Sequence, residues 1–251
     1  MMPNFIEGLA KLSFLDSAEV PVVAVKTPLG QAKFHMYGEY TEFRVRTLLT
    51  KEPETVAWIS EIEPGEVLWD IGANIGIYTV LAGIRGLVVN AFEPSPTNFW
   101  LLNQNVSVNE LGRVRCLSLA LSDKTGLVPF EVDLTPAAAG VNQIATGSSA
   151  TITQAYTIDD LLKSKVVDTP NHLKIDVDGI ELEILRNATS VLSGKSVKTV
   201  MCEVDESDTT ATREIHSLLE SFGFTDIITR FPPYFDANYY LPRANHLFRR
   251  A

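Results

Sequence analysis

The stretch "VLWDIGANIGIYTV" sets an acid at the end of an apolar run and follows it with two glycines four residues apart. After Asp70 come Gly72, Ala73, Asn74 and Gly76, a run of small residues that lets backbone approach a ligand closely. Further on, "NAFEPSP" ends a second apolar run on Glu93. A carboxylate at that position can accept both hydroxyls of a ribose, so the two stretches together describe a site for a nucleoside-containing ligand. A dinucleotide site expects G-x-G-x-x-G, whereas this chain reads G-A-N-I-G with no second close glycine. Asp70 would also stand beside a pyrophosphate, where its charge repels. S-adenosylmethionine carries an ammonium, a sulfonium and no phosphate, and an acid near that end is favourable. The residues favour S-adenosylmethionine over NAD. A nicotinamide-dependent oxidoreductase and a non-catalytic nucleoside-binding module are the alternatives.

A second group of chemistry-bearing residues lies downstream. In "HLKIDVDGIELEIL" an apolar strand ends at Asp176, which puts a carboxylate at the edge of the sheet where Asp70 and Glu93 also emerge. Asp176 and Asp178 read as a catalytic base with a positioning group, as a pair for a divalent cation, or as turn chemistry at a helix start. Lys174, inside the apolar strand, is costly unless it is paired, and a carboxylate near the site is the expected partner. Glu203 ends the strand "SVKTVMCEVD" on the same edge, and His246 in "RANHLFRR" has the basicity to take a proton from a hydroxyl near neutrality. Asp176, Glu203 and His246 are the catalytic candidates. His35, His172, His216 and His246 share no metal-ligating spacing, so no metal is expected.

These residues need a frame that brings strand ends together. From Glu66 onward strands and helices alternate: "EVLWDI" and "GLVVNAFE" read as strands, "GIYTVLAGI" and "SPTNFWLLNQNVSVN" as helices, with Ser95 as N-cap and Pro96 at the first helical position. "RVRCLSLAL", "HLKIDVD" and "SVKTVMCEVD" continue the strands, and "GIELEILRNATSVLSG" and "ATREIHSLLESFGF" the helices. Such alternation predicts a mostly parallel sheet with helices on both faces, closed by a C-terminal antiparallel hairpin. Residues 134–152 read as a loop. The aromatic stretch with Phe231, Tyr234, Phe235, Tyr239 and Tyr240 is expected to pack on the sheet. Residues 1–50 form an arm that caps a domain over 51–251.

Composition narrows the function classes. The formal net charge of −10 opposes nucleic acid and an anionic membrane surface as main partners, because both need a basic face. The two cysteines, Cys116 and Cys202, sit in apolar runs and read as small buried hydrophobes rather than a disulfide. No run is long enough to span a bilayer, and the first residues do not read as a signal peptide. A soluble, cytoplasmic protein is expected.

Four stretches, "EPETVAWI", "DIGANIGIYT", "AFEPSPTNFWLLNQNVSVN" with the later "LALSDKTG", and "KIDVDGIELEIL", resemble the FkbM-type S-adenosylmethionine-dependent methyltransferases. The resemblance implies a Rossmann-like class I methyltransferase sheet and methyl transfer to a hydroxyl oxygen of a small molecule or sugar. It implies that Asp70, Gly72, Asn74 and Gly76 form the loop at the methionine end, and that Glu93 holds the ribose. Pro94 and Ser95 would shape the turn around the nucleoside, with backbone at Ala120 and Ser122 framing the adenine. Asp176 would stand at the methyl-transfer face.

Overall fold

The computed structural model describes residues 20–131, 143–144, 151–227 and 243–251. Most of the expected loop at 134–152, the aromatic stretch from Phe231 to Tyr240 and the first part of the N-terminal arm lie outside the described residues. The described residues open on a hairpin, β1 (Val22–Thr27) and β2 (Gly30–His35), and two helices, α1 (Glu39–Arg46) and α2 (Pro53–Glu61). Pro53 stands at the first turn of α2, where a missing N–H costs nothing.

The alternation read from the sequence then appears: β3 (Val67–Ile71), α3 (Ile77–Arg85), β4 (Val88–Phe92), α4 (Pro96–Val108) and β5 (Val114–Leu117). The single expected strand over "RVRCLSLAL" is split. Its second half, β6 (Ala120–Leu121), leaves the main sheet and joins β7 (Gly126–Glu131), β8 (Gln143–Ile144) and β9 (Thr151–Tyr156) in a second one. After α5 (Ile158–Lys163) and β10 (His172–Ile175), the expected long helix is two short ones, α6 (Glu181–Arg186) and α7 (Thr189–Ser193). Asn187 ends the first by turning its amide back onto the Glu183 carbonyl, 2.9 Å away. The chain continues through β11 (Thr199–Asp205), α8 (Thr209–Ser221), β12 (Phe224–Asp226) and β13 (Arg243–Arg250).

The main sheet has the order β12-β13-β11-β10-β3-β4-β5. The strands β11, β10, β3, β4 and β5 pair in parallel, and β13 is antiparallel to both of its neighbours, which is the expected hairpin. Alternation along each strand divides the interior in two. Leu68, Val89 and Met201 join α2, α3 and α4 on one face, where Ala32 and Phe34 of the N-terminal hairpin complete the same core. Trp69, Phe92, Leu173, Ile175 and Phe248 join α5 to α8 on the other. The hairpin is fastened to α4 and its C-cap by two side-chain amides: Asn109 accepts the Lys33 N–H and Asn105 the His35 N–H, each at 2.8 Å. Among the described residues no helix is long and apolar enough to cross a membrane.

The turn after β3 carries the strictest backbone requirement. Gly72 has φ +83°, and a Cβ there would lie 1.9 Å from the Asp176 carbonyl oxygen. The glycine therefore lets the β3 and β10 ends touch, while Gly72 and Ala73 both donate their N–H to the Phe92 carbonyl at 3.0 Å. Gly72→Ala has to displace backbone as well as adopt a left-handed conformation. It should cost about 2 kcal/mol or more in urea unfolding, the scale of a strained φ plus a clash. A loss under about 0.5 kcal/mol would contradict the described contact.

Candidate active site

The face of the sheet that packs on α2 and α3 collects the ionisable groups. Asp70 and Lys174 are register partners on β3 and β10 and share that face with Glu203 and Asn245 on β11 and β13. Asp70 is buried, and one of its carboxylate oxygens accepts the Thr79 hydroxyl, tying the strand end to α3. Its other oxygen, Oδ1, is buried with no hydrogen-bond partner. Burial pushes the Asp70 carboxyl up, and the Lys174 charge works against that rise.

Lys174 is 1% exposed. Its ammonium donates to Asp176 Oδ2 at 2.7 Å and stands 5.0 Å from the centre of the Tyr78 ring. Burial alone would lower Lys174, but Asp176, Asp70 and Glu52 together hold it above the ordinary lysine range. The expected carboxylate partner of Lys174 is thus in place. Burial works to raise Asp176, yet Lys174 and Lys51 outweigh it and keep that carboxyl below its usual range. The chain turns after Asp176 through Asp178 and Gly179, both at positive φ. That turn sends Asp178 to Arg243, which donates at 2.5 Å and also reaches Glu203 at 3.2 Å. Burial and the Asp176 charge push Glu203 well above the carboxylate range, against the pull of Arg243.

Glu93 is buried at the end of β4 and organises the glycine loop. One of its oxygens accepts the Asn74 N–H and the other the Ser95 N–H, both at 2.8 Å. Asn74 has φ +52°, a conformation asparagine tolerates better than most residues. Each Glu93 oxygen keeps a second lone pair for another donor. A cleft opens here, lined by Gly72, Asn74, Glu93, Pro94, Ala120 and Asp176. A second cavity adjoins it across the loop, sharing Gly72, Asn74 and Asp176 and adding Ala73, Arg44, Lys51 and Glu52.

The expected cofactor residues therefore fall into two sets. Gly72, Ala73, Asn74, Glu93, Pro94 and Ala120 line these cavities. Asp70, Gly76, Ser95 and Ser122 stand behind them. Gly76 takes φ +85° against Leu102 of α4, and Ser95 begins α4 with its hydroxyl turned to Thr97 rather than to the helix end. Ser122 is occupied on both sides, donating its N–H to the Tyr156 carbonyl and its hydroxyl to Asp123. Its neighbours Leu119 and Leu121 reach the cleft instead.

Of the catalytic candidates, Asp176 lines both cavities and Glu203 shares its face of the sheet. His246 does not join them. It is the register partner of Cys202, so strand alternation turns it to the opposite face, against His216 of α8 and Phe248. Asn245 takes the place on the cavity side and donates to Glu52 at 3.1 Å.

Lys51 and Glu52 went unread in the sequence. Lys51 pairs with Glu52 at 2.9 Å, and burial of Glu52 is outweighed by Lys51 and Lys174, so its carboxyl sits below the usual range. The available signal was a Lys-Glu pair directly before the proline that starts α2, which brings both charges to a helix start facing the glycine loop.

Burial raises the Glu93 carboxyl to about 7, while its two backbone donors pull the other way. The folded state then holds a proton that the unfolded chain, at an ordinary 4.5, releases. This contribution to stability is complete below pH 4.5 and is lost as pH rises through about 7, a total of about 3 kcal/mol. Glu93→Gln cannot titrate. The stability of the parent relative to this variant, measured by urea unfolding, should fall by about that amount between pH 4.5 and about pH 8. Parallel pH profiles would contradict the raised carboxyl.

Residues 70–225 match the family described as "Methyltransferase FkbM domain". The chain is 35% identical over 174 residues to hexuronic acid methyltransferase AglP of Haloferax volcanii, covering 69% of this chain and 70% of that one. It is 27% identical over 245 residues to 31-O-demethyl-FK506 methyltransferase FkbM of Streptomyces tacrolimicus, covering 84% and 92%. Among solved structures, magnesium protoporphyrin IX methyltransferase of Synechocystis PCC 6803 with bound SAM superposes with a TM-score of 0.53 at 11% identity, over 86% of each chain. At that identity the likeness concerns the fold, a class I methyltransferase sheet. The matched span begins at Asp70 and takes in Glu93, Asp176 and Glu203, and the chain is a methyltransferase belonging to the FkbM family.

Proposed function

We propose that the methyl donor is S-adenosylmethionine and the acceptor a hydroxyl oxygen of a small molecule or sugar. The observation that carries this reading is that Glu93 and Asp176 line one cleft, on either side of the Gly72–Asn74 loop. The donor set suits the cofactor. Glu93 keeps two lone pairs for the ribose hydroxyls, and the Glu52 carboxylate is an acceptor for the ammonium of the methionine end. Arg44 and Lys51 border the same cavity and suit its carboxylate. Leu119, Ala120 and Ile180 offer apolar surface for the adenine.

Bound there, S-adenosylmethionine supplies an electrophilic methyl on a sulfonium. The protein's task is then to bring the acceptor oxygen into line and to receive its proton. Lys174 keeps Asp176 ionised, so Asp176 accepts a hydrogen bond from the acceptor hydroxyl and orients it. The same pairing makes Asp176 a weak base. Glu203, pushed up by burial, has the higher proton affinity on this edge and serves as the proton's destination. The relatives named above act on hexuronic acid and on 31-O-demethyl-FK506, which supports a sugar or small molecule as acceptor, as does the net charge of −10. The described part of the 1–50 arm reaches the second cavity through Arg44, Thr47 and Leu48, which supports its role as a cap on the 51–251 domain. Two free cysteines fit a reducing cytoplasm as the place of action.

Two experiments test the reading. In calorimetric titration S-adenosylhomocysteine should bind and NAD should not, and Glu93→Ala should weaken binding by roughly 2 to 4 kcal/mol, the range for two charge-assisted hydrogen bonds. Binding of NAD alone would overturn the donor assignment. With a hydroxyl acceptor in hand, Asp176→Asn should lower turnover by roughly a hundredfold while S-adenosylhomocysteine affinity stays within a few-fold. Glu203→Gln should remove the acid limb of the pH–rate profile. Unchanged turnover in both variants would take the two carboxylates out of the chemistry.

A further inference from the structure

Behind the sheet, on the face away from both cavities, His216 of α8, Asp226 at the end of β12 and His246 of β13 converge. We propose that these three side chains form a zinc site. One donor atom from each lies within 4.8 Å of the others. His216 Nε2 stands 3.1 Å from His246 Nδ1, and Asp226 Oδ2 stands 3.7 Å from His246 Nδ1 and 3.6 Å from His216 Nδ1, the other nitrogen of that ring. Ligands held tetrahedrally at zinc–nitrogen and zinc–oxygen distances of about 2.0 to 2.1 Å are separated by about 3.3 to 3.4 Å, so with one His216 nitrogen as ligand two edges of the triangle fit closely and the third, within 4.8 Å, has to shorten by a turn of the His216 ring.

The donor chemistry selects the ion. Two imidazoles with one carboxylate suit zinc, whereas magnesium and calcium take all-oxygen sets. The surroundings are those of a metal-binding histidine. His246 turns Nδ1 into the triangle while its Nε2 faces the Glu206 carboxylate at 3.7 Å, beyond hydrogen-bond distance but on the side where an outer carboxylate holds a metal-binding ring. Phe248 packs on the other side, its ring centre 4.9 Å from that of His216. His246 is 3% exposed, while the His216 and Asp226 side chains are 25% and 27% exposed, so the site is anchored in the core and open to solvent at its rim. Three protein ligands leave the fourth position to water. The ligands come from three elements, and a bound ion would join the edge strand β12 and α8 to β13. Sequence spacing hid the group, because strand pairing and helix packing assemble it from distant positions.

The test uses the whole chain, stripped with a chelator and titrated with Zn²⁺ alone. One equivalent should bind and raise the melting temperature, as any native-state ligand does. His216→Ala and Asp226→Asn should each weaken binding at least tenfold while keeping the melting-temperature rise given by S-adenosylhomocysteine, which reports an intact cleft. Co²⁺ in the parent should give the intense visible bands of a tetrahedral N/O site, a readout that needs no variant, and Mg²⁺ should not compete. Absence of stoichiometric Zn²⁺ uptake by the parent, or uptake undiminished in both variants, would overturn the proposal and leave a hydrogen-bonded His–His–Asp cluster.

Discussion

One buried ammonium holds the working edge of this protein together. Lys174 sits inside the sheet, where an unpaired charge would be prohibitive, and it is tolerated because carboxylates from three other places surround it. Asp70 comes from β3, Asp176 from the turn after β10, and Glu52 from the start of α2. Asp176 is in turn held ionised chiefly by the lysine, and Glu52 by Lys51 with the lysine's help. The cluster therefore fixes how β3, the end of β10 and the start of α2 meet. It also sets the electrostatics of the edge: the same 2.7 Å contact that compensates Lys174 lowers the basicity of Asp176, while Glu203, without such a contact to the lysine, is pushed up by burial and the Asp176 charge.

The sheet's two faces separate this electrostatics from ordinary packing. On the α2–α3 face the ionisable groups crowd the strand ends while Leu68, Val89 and Met201 fill the middle. On the opposite face Trp69, Ile71, Leu173 and Ile175 form an apolar layer under α5 to α8. Asp70 can be both a fully buried carboxylate and a neighbour of solvent-lined cavities because it lies at the boundary between those regimes.

The parts of the site legible in the sequence are those where local pattern and function coincide. Asp70, Gly72, Asn74 and Glu93 lie at the ends of regular strands, so period-two runs followed by turn residues located them, and Gly72 meets a backbone demand that only glycine satisfies. Lys174 was readable as a charge in need of a partner. What escaped depends on register and long-range docking. His246 and Asn245 are adjacent in sequence and opposite in space, and nothing before the β11–β13 pairing says which of them faces the cavity. Glu52 and Lys51 reach the site only because α2 docks beside the glycine loop. The split of "RVRCLSLAL" between two sheets likewise depends on β9 being available to pair with β6.

The order of strands at one edge carries a consequence for how the chain assembles. Among the described residues β12 precedes β13 in sequence but pairs only with it, and β13 in turn lies against β11. Until β13 is seated, the flank of β11 is a bare hydrogen-bonding edge and β12 has no strand to dock on. An intermediate containing everything up to α8 would thus expose the kind of unpaired edge that invites intermolecular pairing. Insertion of β13 closes that edge and recruits β12 in one step. It also delivers Arg243 to Asp178 and Glu203 and Asn245 to Glu52, so protection from aggregation and completion of the catalytic edge are the same event.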